Sequence, residues 1–359
     1  MDPWLGYLET VPASRFLNGV GVGFNSSNAD LVCEMLSRHG CSVTRFEIGW
    51  CQLNPDGTLT NASIIRPLQA FQKWGLRPII LLNAHHGVPC PMSFFSAQLA
   101  SAAAQGATSV TFTNTSGFSS GYTGICNLTQ YKACEVFITS VNGNTCTLSK
   151  PLPVALSANQ RVQMATLQYK PFSAAGSAHY KNTVAGWQAY VLKVAQSAVQ
   201  YLGAGNFDLE VWNELTFGSD FLNINNYYSP PVDNNYYGNA RWAAIVQATA
   251  DIADANPSVF SGVEISDGFA NTVPWPSSAQ EPARITAISK HPYPPMNSYP
   301  ANEQQGSPGE LNALFEEESP PTFLPTYNVY FAEIRSPTRD DRLSGALRAV
   351  FSQEGSEGY

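Results

Sequence analysis

Charge is scarce in this chain: 13% of its 359 residues are Asp, Glu, Lys or Arg, and 19 basic against 27 acidic residues give a formal net charge of -8. The basic residues form no cluster, so no electrostatic footprint for a phosphate backbone is present, and nucleic acid is excluded as an expected partner. No stretch reaches about 18 uninterrupted apolar residues, which excludes an expected membrane span. The opening MDPWLGYLET lacks the basic start and apolar core of a secretory signal. Cysteine is absent beyond position 146, and neither a CxxC pair nor a mixed Cys/His cluster with zinc spacing occurs, so no metal centre is expected. A Gly-rich phosphate-binding turn is missing too: GVGVG lies inside a strand-like run without the required spacing, and nothing points to an organic cofactor.

What is present can build a large core, since 44% of residues are apolar. Cys126, Cys134 and Cys146 fall in a Gly/Ser/Thr-rich segment where a disulfide could staple loops, leaving one of the seven thiols over. Low charge, together with glycosylation-type triplets at Asn25, Asn61, Asn114 and Asn127, leans the expectation towards an extracytoplasmic or secreted protein. The oligomeric state is not legible.

The first portion alternates strands and helices. FLNGVGVGF reads as a strand, Asn28 to His39 as a helix, CSVTRFEIGW as a strand, Ile64 to Trp74 as a helix closed by Gly75, and Arg77 to Asn83 as a third strand. From about Ala107 the pattern changes to short β-rich runs with an Asn142-Gly143 hairpin signal. The alternation then resumes with a helix over Tyr180 to Tyr201, a strand over Phe207 to Trp212 and a helix over Asn239 to Ala255. A strand over Val259 to Ile265 and a short one over Arg284 to Ser289 follow. The expected fold is α/β, a TIM (β/α)8-type barrel with a small inserted β-rich module; a doubly wound open sheet is the runner-up. The expected organisation is residues 1–106 as the first part of the barrel, 107–170 as the inserted module and 171–359 as the remainder.

Polar residues recur at the ends of these strands. Arg45 and Glu47 lie in the second, His85 and His86 follow the third, Asn213 and Glu214 the fourth, Glu264 and Asp267 sit at the fifth, and His291 and Tyr293 follow the sixth. In a barrel such positions converge on one mouth. Each has a plainer reading: a turn histidine, an Arg45–Glu47 pair inside the barrel, a tyrosine that anchors a proline-rich loop. Their joint recurrence favours a site.

The VWNE that closes the fourth strand resembles the glycoside hydrolases of the large β/α-barrel clan that includes cellulases, mannanases, xylosidases and glucosylceramidase-like enzymes. The resemblance spans roughly residues 17 to 106 and 172 to 300. It implies Glu214 as general acid/base, Asn213 as a ligand of the sugar 2-hydroxyl, and Arg45 near the nucleophile. It further implies His85 or His86 as a substrate contact and His291 and Tyr293 beside the nucleophile, with a carbohydrate as substrate. Retaining cleavage of a β-glycosidic bond needs one protonated carboxyl to protonate the leaving oxygen and one ionised carboxylate about 5 Å away to attack the anomeric carbon.

The second carboxylate is harder to place. Glu333 in TYNVYFAEI follows alternating Tyr327, Val329 and Phe331 and is the candidate nucleophile, against a reading as part of a loop over the cleft. Glu354 lacks a strand before it, and Glu316 to Glu318 read as a solvated acidic run. Eight strands need one or two βα units beyond those legible, so the expectation is a barrel incomplete at its C-terminus. Two other readings are a catalytically inactive carbohydrate-binding barrel and a metal-dependent hydrolase using His85, His86, His291 and Asp267.

Overall fold

The structure is a computed structural model that describes residues 19–21, 27–38, 41–85, 87–129, 132–215, 220–233, 238–269 and 281–287. Five parallel strands form its first sheet: β1 (Gly19–Gly21), β2 (Val43–Gly49), β3 (Arg77–Asn83), β10 (Asp208–Val211) and β11 (Ile265–Ser266). They lie side by side in chain order, and a parallel bridge from Ser266 to Ala287 adds a sixth position beside β11. The order contains no reversal. A doubly wound sheet requires a switch point where the order turns back, so the runner-up topology is excluded for these strands, and a single winding direction keeps the crossover helices on one face. No closed barrel is formed among the described residues.

The helices follow from local signals. α1 (Ala29–Arg38) has Asp30 in its first turn and Arg38 in its last, complementing the helix dipole. α2 (Ala62–Trp74) is capped by Asn61, whose side chain accepts the Ser63 N–H at 3.0 Å, and is closed by Gly75. α3 (Ala178–Leu202) starts at the Ser177 cap and buries Trp187, Tyr190, Val191, Val194 and Ala198 along one stripe. α4 (Gly238–Ala255) packs against α3 and β10. The expected strand over Val259 to Ile265 is corrected: Pro257 at the first helical position starts α5 (Pro257–Phe260), and only Ile265–Ser266 pairs as strand.

Strand alternation divides the two faces of the parallel sheet. Phe46, Ile48, Ile80, Leu82, Leu209 and Val211 join the helices in the main core, with the Phe46 and Phe71 rings 5.4 Å apart. The other face carries Arg45, Glu47, Arg77, Asn83, Asp208 and Glu210. A buried parallel sheet commonly reads as a continuous apolar run on both faces. Here one face mixes these polar side chains with the buried Ile79 and Leu81 of β3.

The second sheet is antiparallel, with strands β4 (Met92–Gln98), β5 (Ser109–Thr111), β6 (Thr123–Ile125), β7 (Val136–Asn142), β8 (Thr145–Leu148) and β9 (Arg161–Leu167) in the order β4-β9-β6-β7-β8-β5. It begins at Met92, ahead of the change in pattern near Ala107, because β4 pairs along its whole length with β9. Phe137, Ala165 and Leu167 join the main core, whereas Val110, Phe112, Ile138, Cys146 and Met164 form a second cluster. The expected disulfide is corrected: all seven cysteines are free. Cys146 lies in the second cluster, whereas Cys126 and Cys134 belong to the main core with their thiols directed at the Gly124 and Ala165 carbonyls. Among the described residues no helix is long and apolar enough to cross a membrane.

Candidate functional site

Beyond Val211 the backbone of β10 leaves its strand abruptly. Trp212 has φ 71 and Glu214 φ 51, left-handed conformations that bulky and acidic side chains seldom adopt. Such strain persists only where the surroundings enforce it, and here three contacts do. The Trp212 N–H donates to the Leu82 carbonyl at 2.6 Å, the Leu215 N–H donates to the Gly268 carbonyl at 2.9 Å, and the buried Trp212 ring lies 5.2 Å from Trp187. Gly268 is itself left-handed at φ 74, and a Cβ there would stand 1.7 Å from the Val211 carbonyl oxygen. Only glycine fits. Glu214 therefore sits, half-buried, on a turn clamped from both sides at the carboxyl end of the sheet.

Arg45 reaches across the polar face to this turn. Its Nε donates to Glu210 Oε2 at 2.6 Å and its Nη2 to Asn213 Oδ1 at 2.9 Å. Arg45 is 9% exposed and Glu210 fully buried, so the pair is shielded from water and each charge depends on the other. The sequence alternative that paired Arg45 with Glu47 is corrected: the guanidinium spans β3 to reach β10, and Glu47 accepts a hydrogen bond from Asn83 Nδ2 at 3.2 Å instead. One turn of charge deeper, Arg77 grips Asp208 through two bonds of 2.6 Å.

Tyr190 supports this face from behind. Its buried hydroxyl donates to the Ile48 carbonyl and accepts the Asn83 N–H at 3.1 Å, tying the ends of β2 and β3 to α3. Burial pushes the phenol well above its ordinary value, which keeps the donated proton in place. Trp50 stacks 5.0 Å from Tyr169 and 6.0 Å from Tyr190 in the same cluster. Cys51 is no nucleophile, because burial and the neighbouring Glu47 push its thiol up to about 11.

His85 lies just past β3, where its Nδ1 accepts the Gly87 and Val88 N–H groups at 3.0 and 3.2 Å. An accepting Nδ1 leaves the ring proton on Nε2 and ties the His85 ring to the turn after β3. Asp267, at the end of β11, accepts the Phe269 N–H at 3.1 Å. Glu281 lies near it with both carboxyl oxygens buried and without a hydrogen-bond partner among the described residues. Burial first, and the charge of Asp267 second, push Glu281 up to about 10, so this carboxyl is neutral at physiological pH. No group of three or more His, Cys, Asp or Glu side chains suited to a metal ion occurs among the described residues. A cavity of about 350 Å³ lined by Phe71, Leu76, Arg77, Leu202 and Asn206 opens at the other end of β3, away from Glu214.

The structure thus brings Arg45 and Asn213 into contact beside Glu214 and ties His85 to its own turn. His86, His291, Tyr293 and Glu333 lie outside the described residues. Sequence reasoning missed Glu210, although its signal was legible: Asp208 and Glu210 are two charges two residues apart in an otherwise apolar run, which places both on one face of a strand. It also missed Glu281, for which no local pattern exists.

No family model matches the sequence, and no curated protein sequence matches it. Solved structures similar to this chain include a glycoside hydrolase family 5 enzyme from Prevotella bryantii B14, at 10% identity over 88% of this chain and 75% of that one, with a TM-score of 0.41. A rutinosidase from Aspergillus niger is 12% identical over 85% of this chain and 63% of its own length, with a TM-score of 0.37. A β-glucosidase from Thermotoga maritima is 10% identical over 90% of this chain and 51% of its own, with a TM-score of 0.30. These likenesses are too slight to carry a function across, and the chemistry of the site rests on its own residues.

Proposed function

We propose that this chain is a retaining β-glycosidase of the (β/α)8 type acting on a carbohydrate by double displacement, with Glu214 as acid/base and Glu333 as nucleophile. The observation that supports it most is the Arg45–Asn213 contact beside Glu214, on a strand end held in strained geometry. A carboxyl that must protonate a leaving oxygen needs a fixed direction of approach, which a rigid strand end supplies better than a mobile loop. Asn213, with its oxygen engaged by Arg45, presents its amide N–H groups as donors, suited to a sugar hydroxyl. Arg45 holds the amide in that orientation while Glu210 holds Arg45. The remaining roles follow the same reading: His85, His86, His291 and Tyr293 contact the sugar or the nucleophile.

The test is hydrolysis of a panel of aryl β-glycosides and β-glucans by the native chain, Glu214→Gln and Glu333→Gln, with folding checked by circular dichroism and the product anomer followed by NMR. Retention of configuration, with turnover falling at least about a thousand-fold in each variant, supports the full assignment. Loss in Glu214→Gln alone removes Glu333 as nucleophile, and a folded native chain without turnover on any substrate overturns the enzyme reading.

A further inference from the structure

We propose that Glu47 is the specificity-determining carboxylate of this cleft, accepting hydrogen bonds from hydroxyls of an uncharged sugar ring and rejecting sugars that carry a carboxylate or sulfate. The inference rests on the glycosidase reading for the kind of ligand and on the geometry of β2 for the residue.

Four observations carry it. β2 is flanked by β1 and β3, and of its seven residues Glu47 alone is exposed. Its carboxylate is therefore open to solvent on this face of the sheet. Alternation and register put Glu47 on the face of Arg45, level with Leu81 on β3 and through it with Glu210 on β10. It thus shares this face of the sheet with the Arg45–Asn213 contact. Gly49, two residues further on the same face, places no side chain between the carboxylate and the carboxyl end of the sheet, and its built Cβ position stands 3.6 Å from Glu47 Oε1. Finally, Glu210 is paired with Arg45 and Asp208 with Arg77, whereas among the described residues Glu47 is bonded to the neutral amide of Asn83.

Chemistry then selects the ligand. An ionised carboxylate only accepts hydrogen bonds, and its two oxygens match two adjacent hydroxyl donors. Asn83 is a rigid escort, with its backbone N–H held by Tyr190 and its amide donating to Oε1, so Glu47 needs little ordering when a ligand arrives. A second negative charge from the ligand would meet a carboxylate that has no ion-pair partner among the described residues, which is unfavourable.

The experiment uses calorimetric titration at pH 7 of the full chain carrying Glu214→Gln, alone and combined with Glu47→Gln or Glu47→Ala. The probes are matched methyl β-glycosides, glucoside against glucuronide and galactoside against galacturonide, which differ only in the charge at C6. The expected result is binding of a neutral member, weakened about ten-fold or more by either Glu47 substitution, with the neutral-over-acidic preference shrinking in step. Equal binding of neutral and acidic members, an unchanged preference in the Glu47 variants, or no binding of any probe overturns the proposal. In the otherwise native chain, a turnover number lost in Glu47→Gln at unchanged KM also overturns it, because that would make Glu47 a reacting group. Binding is scored without turnover, so hydrolysis can fail while this preference persists, and the two readings fall separately.

Discussion

The two sheets of this molecule meet the same requirement, burial of apolar surface, in opposite ways. The antiparallel sheet is built from near neighbours: β7 and β8 are joined at Asn142-Gly143, and among residues 92–167 only Lys132, Glu135, Lys150 and Arg161 are charged. The parallel sheet pairs β3 with β10 across the entire antiparallel sheet in sequence, yet keeps the register from Asp208–Ile79 to Val211–Leu82. Both segments bury charge, Glu135 beside β7 with the Thr129 N–H, and Arg45, Glu210 and Asp208 in the parallel sheet in ion pairs. The locally paired sheet keeps its left-handed non-glycine positions at Asn127 and Asn159, which tolerate them, whereas the one assembled from distant segments holds Trp212 and Glu214 that way beside the Arg45–Glu210 and Arg77–Asp208 pairs. Polar groups of that kind are tolerated only when several segments converge to satisfy them.

The sharpest way to break this contrast uses glycine. Gly268→Ala drives a methyl into the Val211 carbonyl and is expected to cost more than about 4 kcal/mol or abolish soluble expression. Gly143→Ala, at a hairpin tip with open space around it, is expected to cost only about 1 kcal/mol for its left-handed φ. Thermal melting followed by circular dichroism compares the two, and a similar loss in both would refute the clamp at Glu214. Next in size, Arg45→Met strands the fully buried Glu210 and is expected to destabilise by about 3 kcal/mol or more, measured by urea unfolding. A loss under about 1 kcal/mol would show that water reaches Glu210.

The parallel sheet should also respond to pH through Glu281. Its folded value, about 10, lies above the 4.5 of an unperturbed glutamate. The folded state then holds a proton that the unfolded state has released. The stabilisation is complete below about 4.5 and is lost progressively as pH rises towards 10. Glu281→Gln is expected to flatten this decline in melting temperature between pH 6 and 9, and an unchanged slope would contradict the buried neutral acid. A smaller change is expected from Tyr190→Phe, which leaves the Asn83 N–H and Ile48 carbonyl without their partner and costs about 1–3 kcal/mol. Smallest of all, Thr145→Ala removes an exposed cross-strand contact to Thr111 and should shift stability by no more than about 1 kcal/mol.

Much of the parallel frame was legible because its signals are local. The third strand occupies Arg77 to Asn83 as its apolar run predicts, and α2 ends where Gly75 stands. The expected strand from Val259 failed because an apolar run cannot by itself distinguish a strand from a helix, and Pro257 decided the matter. The expected disulfide is absent although Cys126 and Cys134 lie in one core with their side chains in contact, so chain spacing brought two thiols together without joining them.

The candidate site divides in the same way. The sequence by itself placed Arg45 within a strand and Asn213 and Glu214 at the end of another, because two-residue alternation and a terminating polar pair are properties of a few consecutive residues. Tertiary structure alone decided that Arg45 binds Glu210 rather than Glu47, that Gly268 clamps the turn, and that Tyr190 braces Asn83 from a helix more than a hundred residues away. Those choices depend on which strands lie side by side. That order is fixed by the packing of the whole core and by the need to satisfy every buried charge at once, and no local window of residues contains it.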